Sequence, residues 1–180
     1  MDNNTVGKKT RHSIRLRGYD YSQPGNYFIT ICTYQRQKLL GTMVERKVLL
    51  NAAGQAVRSC WFDLPQRFPR VELVEFIVMP NHVHAILGLR QPPRVNPRGA
   101  ASSAPTTETA PSGNPSIGNV LRAFRSVSAI KVNRILGQAL EHVWQRNFYE
   151  HIIRSPKEFG QVQKYIHENP MNWDLDPENV

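Results

Sequence analysis

Two histidines, His82 and His84, stand at the head of an apolar run (Val83, Ala85, Ile86, Leu87) that follows the turn signal Met79-Pro80-Asn81. Side chains alternate along a strand, so His82, His84 and Ile86 share one face while Val83, Ala85 and Leu87 share the other. Imidazoles two strand residues apart, about 7 Å along the backbone, can converge on one metal ion. Val83 then anchors the strand behind them. Near the C-terminus, Tyr165 and Asn169 lie four residues apart in a helical pattern, one above the other on one face. If that face packs beside the histidine strand, Asn169 becomes a third ligand and Tyr165 a nucleophile. Spacing alone favours plainer roles: histidines placed by chance, Tyr165 padding the apolar face beside Val162 and Ile166, and Asn169 capping the helix.

The elements that would have to position these groups are legible. Tyr27–Tyr34 is rich in β-branched and aromatic residues and reads as a strand. Apolar residues at three- and four-residue spacing predict a helix from Leu49 to Asp63, closed by Leu64-Pro65. Val71–Met79 and His82–Leu89 read as an antiparallel hairpin about Pro80-Asn81. Ile117–Leu136 predicts a second helix, and Val143–Ile153 another strand. The final helix opens on Ser155-Pro156-Lys157-Glu158, a capping box with proline at the first helical position, and Pro170 closes it. The order strand, helix, strand, strand, helix, strand, helix predicts an α+β fold, a ferredoxin-like antiparallel sheet with helices packed on it.

The chain of 180 residues carries 23 Lys and Arg against 14 acids, a net charge of +9. That balance points to a polyanionic partner. The charge is uneven. Residues 1–20 form a basic arm with Arg11, Arg15 and Arg17 among its cations. The second predicted helix carries Arg122, Arg125, Lys131 and Arg134 with no opposing acid before Glu141. These seven residues are the candidate contacts to a nucleic acid, DNA or RNA. Cys32 and Cys60 are too few and too far apart for a zinc ribbon or a disulfide framework. No stretch approaches the roughly 20 apolar residues of a membrane span, and the polar start lacks a signal peptide's apolar region. A cytoplasmic, reduced, nucleoid-associated protein is expected. Residues 91–116, rich in Pro, Ala, Ser and Thr, cannot bury enough surface to offset their ordering and read as a flexible insertion. It interrupts a single domain at 21–180.

Three motifs in order carry a resemblance: Met79-Pro80-Asn81-His82-Val83-His84, Trp144 through Arg154, and Tyr165-Ile166-His167-Glu168-Asn169-Pro170. Together they resemble the REP-associated tyrosine transposases of the HUH superfamily, from about Arg15 to the C-terminus with the insertion excluded. The resemblance implies a metal-dependent single-stranded DNA endonuclease and strand transferase acting at hairpins or palindromic repeats. It assigns His82, His84 and Asn169 to a divalent ion, Mg²⁺ or Mn²⁺, and Tyr165 to a 5′-phosphotyrosine intermediate. The insertion at 91–116 departs from that pattern and leaves the mode of DNA recognition open. Two other functions share the fold: a non-cleaving or domesticated DNA-binding protein, and a replication-initiator-like nickase, although the chain has no room for a helicase. Tyr149 ranks as a weaker nucleophile, and His151 and His167 as surface or supporting residues. Neither the DNA target nor the choice between monomer and homodimer is readable.

Overall fold

The computed structural model describes residues 18–91, 115–137 and 142–179. Arg11, Arg15 and Arg17 of the basic arm, and nearly all of the insertion at 91–116, lie outside the described residues. Four strands form the main sheet: β1 (Gly25–Cys32), β4 (Val71–Val78), β5 (His82–Leu89) and β6 (Tyr149–Ile153). Their spatial order is β4-β5-β1-β6, every neighbouring pair antiparallel. Helix α1 (Ala52–Phe62) and the short α2 (Leu64–Arg67) connect β1 to β4, and α3 (Ile117–Leu136) connects β5 to β6. This is the ferredoxin-like arrangement that the element order predicts. A small hairpin, β2 (Gly41–Val44) with β3 (Lys47–Leu50), precedes α1, and α4 (Pro156–Glu168) ends the regular structure.

Register decides which side chains meet. Tyr27, Ile29 and Ile31 of β1 pair with Leu87, Ala85 and Val83 of β5, and this face carries the core beneath α1 and α3. Trp61 of α1 is fully buried there, stacked on Phe76 at 4.6 Å between centroids and edge-on to Phe124 of α3 at 5.1 Å. Cutting such a residue to alanine costs about 3–5 kcal/mol, from lost burial plus the cavity left behind. Phe28, Thr30 and Cys32 occupy the opposite face beside Ile86, His84 and His82. Helix α4 and a turn at Trp173–Leu175 cover that second face. Ile166 is buried beneath α4, and Gln163 donates to Glu75 of β4 at 2.8 Å.

Caps set the helix ends. Asn51 accepts from the Gly54 amide at 2.9 Å. Gly54 must be glycine for space, since a Cβ would collide with the Leu40 carbonyl oxygen. Ser155 accepts from the Glu158 amide, with Pro156 first in α4, as the capping box predicts. Gly137 closes α3 with φ of 67°.

Two expectations are corrected. The helix predicted from Leu49 begins at Ala52, because Lys47–Leu50 is strand β3 and Leu49 is 65% exposed. Leu49 and Leu50 continue the helical spacing by coincidence, and the hairpin turn uses Glu45-Arg46 rather than the usual Asn-Gly. The strand predicted over Val143–Ile153 shortens to Tyr149–Ile153. Trp144 makes only an isolated bridge to Thr33, and its indole N–H donates to Ser128 Oγ of α3 at 3.0 Å.

Candidate active site

His82 and His84 enter the second face together because β5 alternates and its register against β1 is set by a fully buried partner face. Their rings lie 4.4 Å apart, and both are buried. Each Nδ1 is held from behind. His82 Nδ1 lies 2.8 Å from Asn81 Oδ1, and His84 Nδ1 lies 2.9 Å from Thr30 Oγ1. The Asn81 amide nitrogen donates to the Glu178 carbonyl at 2.7 Å, so its oxygen is left to accept from His82. His82 Nδ1 therefore carries the proton, and Nε2 presents a lone pair to the site. This buttressing of one ring nitrogen is how proteins orient imidazole ligands.

The C-terminal segment supplies the remaining acceptors. Asp176 Oδ2 stands 3.8 Å from His82 Nε2 and 3.9 Å from His84 Nε2. Burial is the main force holding the His82 pKa far down, and the neighbouring His84 adds to it. The approach of Asp176 to His82 is thus a carboxylate facing a neutral ring rather than an ion pair. The Asp176 carboxyl is itself held low: burial pushes it up, but the neighbouring His84 and hydrogen bonds from the Glu178 amide and the Asn169 side chain outweigh that. Asn169 is buried at the C-terminus of α4, and its side-chain nitrogen donates to Asp176 Oδ2. Its Oδ1 and His82 Nε2 are both buried with no hydrogen-bond partner among the described residues. Two imidazole nitrogens and one carboxylate thus converge within 4.8 Å of one another, with the Asn169 amide tied to that carboxylate, a mixed nitrogen and oxygen set suited to Mg²⁺ or Mn²⁺.

Tyr165 lies at the rim. Its hydroxyl is 3.3 Å from His84 Nε2, and its ring stands edge-on to Phe28 at 6.0 Å. Burial and then the Asp176 and Glu178 carboxylates push its pKa up to about 12. Tyr149 shares the same sheet face, and its ring reaches Phe28 from the other side at 5.9 Å. No contact joins it to either histidine among the described residues. His151 engages Glu158, and His167 engages Glu75, both away from the histidine pair.

Three residues that the motifs do not mark also face the site. Asp176 sits in the polar tail Asp174-Leu175-Asp176-Pro177-Glu178, which has no periodicity to single it out. Arg36 pairs with Glu178 at 2.8 Å, on a turn where Gln35 and Arg36 hold φ of 52° and 55°. Lys38 stands 5.5 Å over the Trp173 ring, which is stacked on His82. Left-handed backbone at two consecutive non-glycine residues is uncommon and persists only where its surroundings hold it.

The basic helix α3 lies across the sheet from the histidines, on the core face. Arg122 and Arg134 are exposed there. Arg125 instead donates to the carbonyls of Gln145 and Arg146, and burial lowers its pKa. Lys131 pairs with Asp63 at 3.9 Å. The expectation of a wholly uncompensated face is therefore corrected at two of its four cations, because an acid and two carbonyls from other elements fold against them. No helix among the described residues is long and apolar enough to cross a membrane.

No family model matches the chain. It is 35% identical over 171 residues to an uncharacterized protein of Haemophilus influenzae, covering 95% of this chain and 94% of that one. Among solved structures, it is similar to a REP-associated tyrosine transposase bound to a REP hairpin. That match has a TM-score of 0.55 at 20% identity and covers 84% of this chain and 70% of the other. A candidate transposase of Deinococcus radiodurans matches more loosely, at a TM-score of 0.47 and 18% identity over 86% of this chain and 95% of that one. The chain belongs to one family with the Haemophilus influenzae protein, built on the fold of the REP-associated tyrosine transposase.

Proposed function

We propose that this protein is a metal-dependent single-stranded DNA endonuclease and strand transferase, a transposase that works through Tyr165. The observation that carries the reading is the Tyr165 hydroxyl 3.3 Å from His84 Nε2, at the rim of a cluster of buried acceptors that includes two orphaned atoms. The hairpin DNA in the similar transposase structure supports a hairpin or palindromic substrate here.

His82 and His84, with Asn169 or Asp176 as the oxygen donor, would hold a divalent ion. Bound there, Mg²⁺ or Mn²⁺ would polarise the scissile phosphate and offset the carboxylates that keep the Tyr165 phenol protonated. The chain's own residues do the rest. Tyr165 gives up its phenol proton as its oxygen attacks phosphorus, the bond from phosphorus to the 3′ oxygen breaks, and the leaving 3′ oxygen takes up a proton in exchange. The 5′ end stays on Tyr165, and attack by a 3′-hydroxyl reverses the step, so the strand rejoins with no nucleotide cofactor. Phe28 braces the Tyr165 ring, which limits the directions from which the hydroxyl can approach. Arg36 and Lys38 supply cations at the lip for the flanking phosphates.

Incubating the protein with Mn²⁺ and an end-labelled single-stranded hairpin tests this by gel shift under denaturing conditions. A covalent adduct is expected for wild type and Tyr149→Phe, and none for Tyr165→Phe. An adduct that survives in Tyr165→Phe, or none with wild type on any hairpin tried, would sink the reading.

A further inference from the structure

The outer edge of β4 borders a groove that the cleavage chemistry leaves unused. It holds about 630 Å³ between the β2–β3 hairpin, α1 and the end of α4, within the range of small-ligand sites. Leu50, Phe76, Ile77 and Met171 give it an apolar floor, and Trp61 stacks behind Phe76 to make that floor rigid. Arg46, Lys47 and Arg58 stand around it with one carboxylate, Glu45, and none of the three cations is ion-paired among the described residues.

The strand edge itself adds polar groups. Met79 N–H donates to the His82 carbonyl, so hydrogen-bonded pairs fall at Met79 and His82 and again at Ile77 and His84. By alternation, Phe76 and Val78 turn their N–H and C=O outward. No partner meets them there among the described residues. The hairpin tip that presents Arg46 holds Glu45 and Arg46 at φ of 47° and 60°, a turn usually made by Asn-Gly.

The groove also adjoins the nuclease site. Ile77 pairs with His84 across a single strand spacing, about 4.8 Å, and His167 lines the groove two residues from both Tyr165 and Asn169. Resting on the function proposed above, we infer that this groove is a nucleobase subsite for single-stranded DNA. An unpaired base next to the scissile phosphate seats on the apolar floor, its polar edge meets the free backbone groups of Phe76 and Val78, and Arg46, Lys47 and Arg58 hold its phosphates. An open strand edge also accepts extended peptides. Three cations with no ion pair among the described residues, one of them (Arg58) resting on the Phe62 ring at 5.7 Å, stand against one carboxylate on a chain of net charge +9 and select the polyanion.

The test compares fluorescein-labelled oligo(dT) of about twelve nucleotides with an abasic strand carrying the same phosphates. Proteins are wild type, Met171→Asp and Arg58→Glu, both changed at exposed positions, with circular dichroism to verify folding. Wild type should prefer the strand with bases by about tenfold, the scale of one stacked base. Met171→Asp should erase that preference, and Arg58→Glu should weaken both strands alike. Oligo(dT) carrying 5-iodouracil should photo-crosslink to the peptides holding Phe76 or Met171, a readout that needs no variant. If wild type cleaves hairpin DNA while Met171→Asp keeps the full preference and crosslinks map elsewhere, the subsite is overturned and the nuclease stands. Protection of the groove by an acidic peptide rather than by DNA overturns it in favour of a protein partner. Wild type that binds neither strand removes the nuclease reading and the subsite together.

Discussion

Acid is a direct probe of the acceptor cluster, because His82 has been folded into a place where it cannot carry a proton. Its side chain is wholly buried, Nδ1 is committed to Asn81, and Nε2 has no hydrogen-bond partner among the described residues. Burial chiefly, with His84 beside it, lowers its pKa from 6.5 to about 3. The folded value lies below the unfolded one, so unfolding takes up a proton. The neutral ring's contribution is fully present above pH 6.5 and is lost as pH falls from there towards 3. At pH 5 the unfolded chain gains a factor of roughly 33 in proton binding and the folded chain almost none, which removes about 2 kcal/mol of stability. That is a large share of a typical domain's 5–15 kcal/mol. With a urea m-value near 2 kcal/mol/M it moves the midpoint by about 1 M. The assay is urea unfolding in EDTA at half-unit steps from pH 7.5 to 4.5, for wild type and His82→Gln. Other groups titrate in both proteins, so the difference between the two curves isolates His82. Wild type should lose about 2 kcal/mol more than the variant by pH 5. Parallel curves would refute the claim that His82 is buried in its neutral form.

Other outcomes can be checked with ordinary preparations. Saturating Mn²⁺, at about 100 times Kd, should stabilise the fold by about 2.7 kcal/mol and raise Tm by roughly 5–10 °C. His82→Ala and His84→Ala should abolish this shift by calorimetry, whereas an unchanged shift would place the ion elsewhere. Asn169→Ala and Asp176→Asn should each weaken Mn²⁺ binding less than either histidine change, because water can replace one oxygen donor; titration calorimetry ranks them. Tyr165→Phe should retain hairpin affinity within about twofold while losing the adduct, since only one hydroxyl is removed. Burial and the Glu178 carboxylate accepting its S–H push Cys32 up to about 12. Its neutral thiol therefore stabilises the fold below pH 9, a contribution lost as pH rises towards 12. Cys32 should accordingly resist thiol reagents at pH 8.5 until the chain unfolds, and rapid native modification would show that the C-terminal segment does not seat on it.

Local signals were enough for the elements that pair or cap with near neighbours. The β4–β5 hairpin follows from apolar runs flanking Pro80-Asn81, and α4 from Ser155, Pro156 and Glu158, because turn and cap chemistry is written in adjacent residues. The shared face of His82 and His84 follows from strand alternation alone. The same reasoning missed β2–β3, whose turn residues Glu45 and Arg46 carry no hairpin signature and are held in left-handed backbone by the fold around them. Whether Tyr165 merely padded a helix or faced the histidines was open in the sequence. It was decided by α4 crossing the second face of the sheet, a contact between residues 81 positions apart. Asp176 was invisible for a related reason. A carboxylate in a polar tail has no period, and only closure of the Trp173–Glu178 segment over His82 brings it within 4 Å of both imidazoles. The charge of α3 was likewise readable as composition, but its compensation by Asp63 and the Gln145 and Arg146 carbonyls depends on elements that meet it only through long-range packing. Periodicity specifies which side of an element is buried; which other element covers it is set by tertiary closure, and the chemistry of this site lies in that covering.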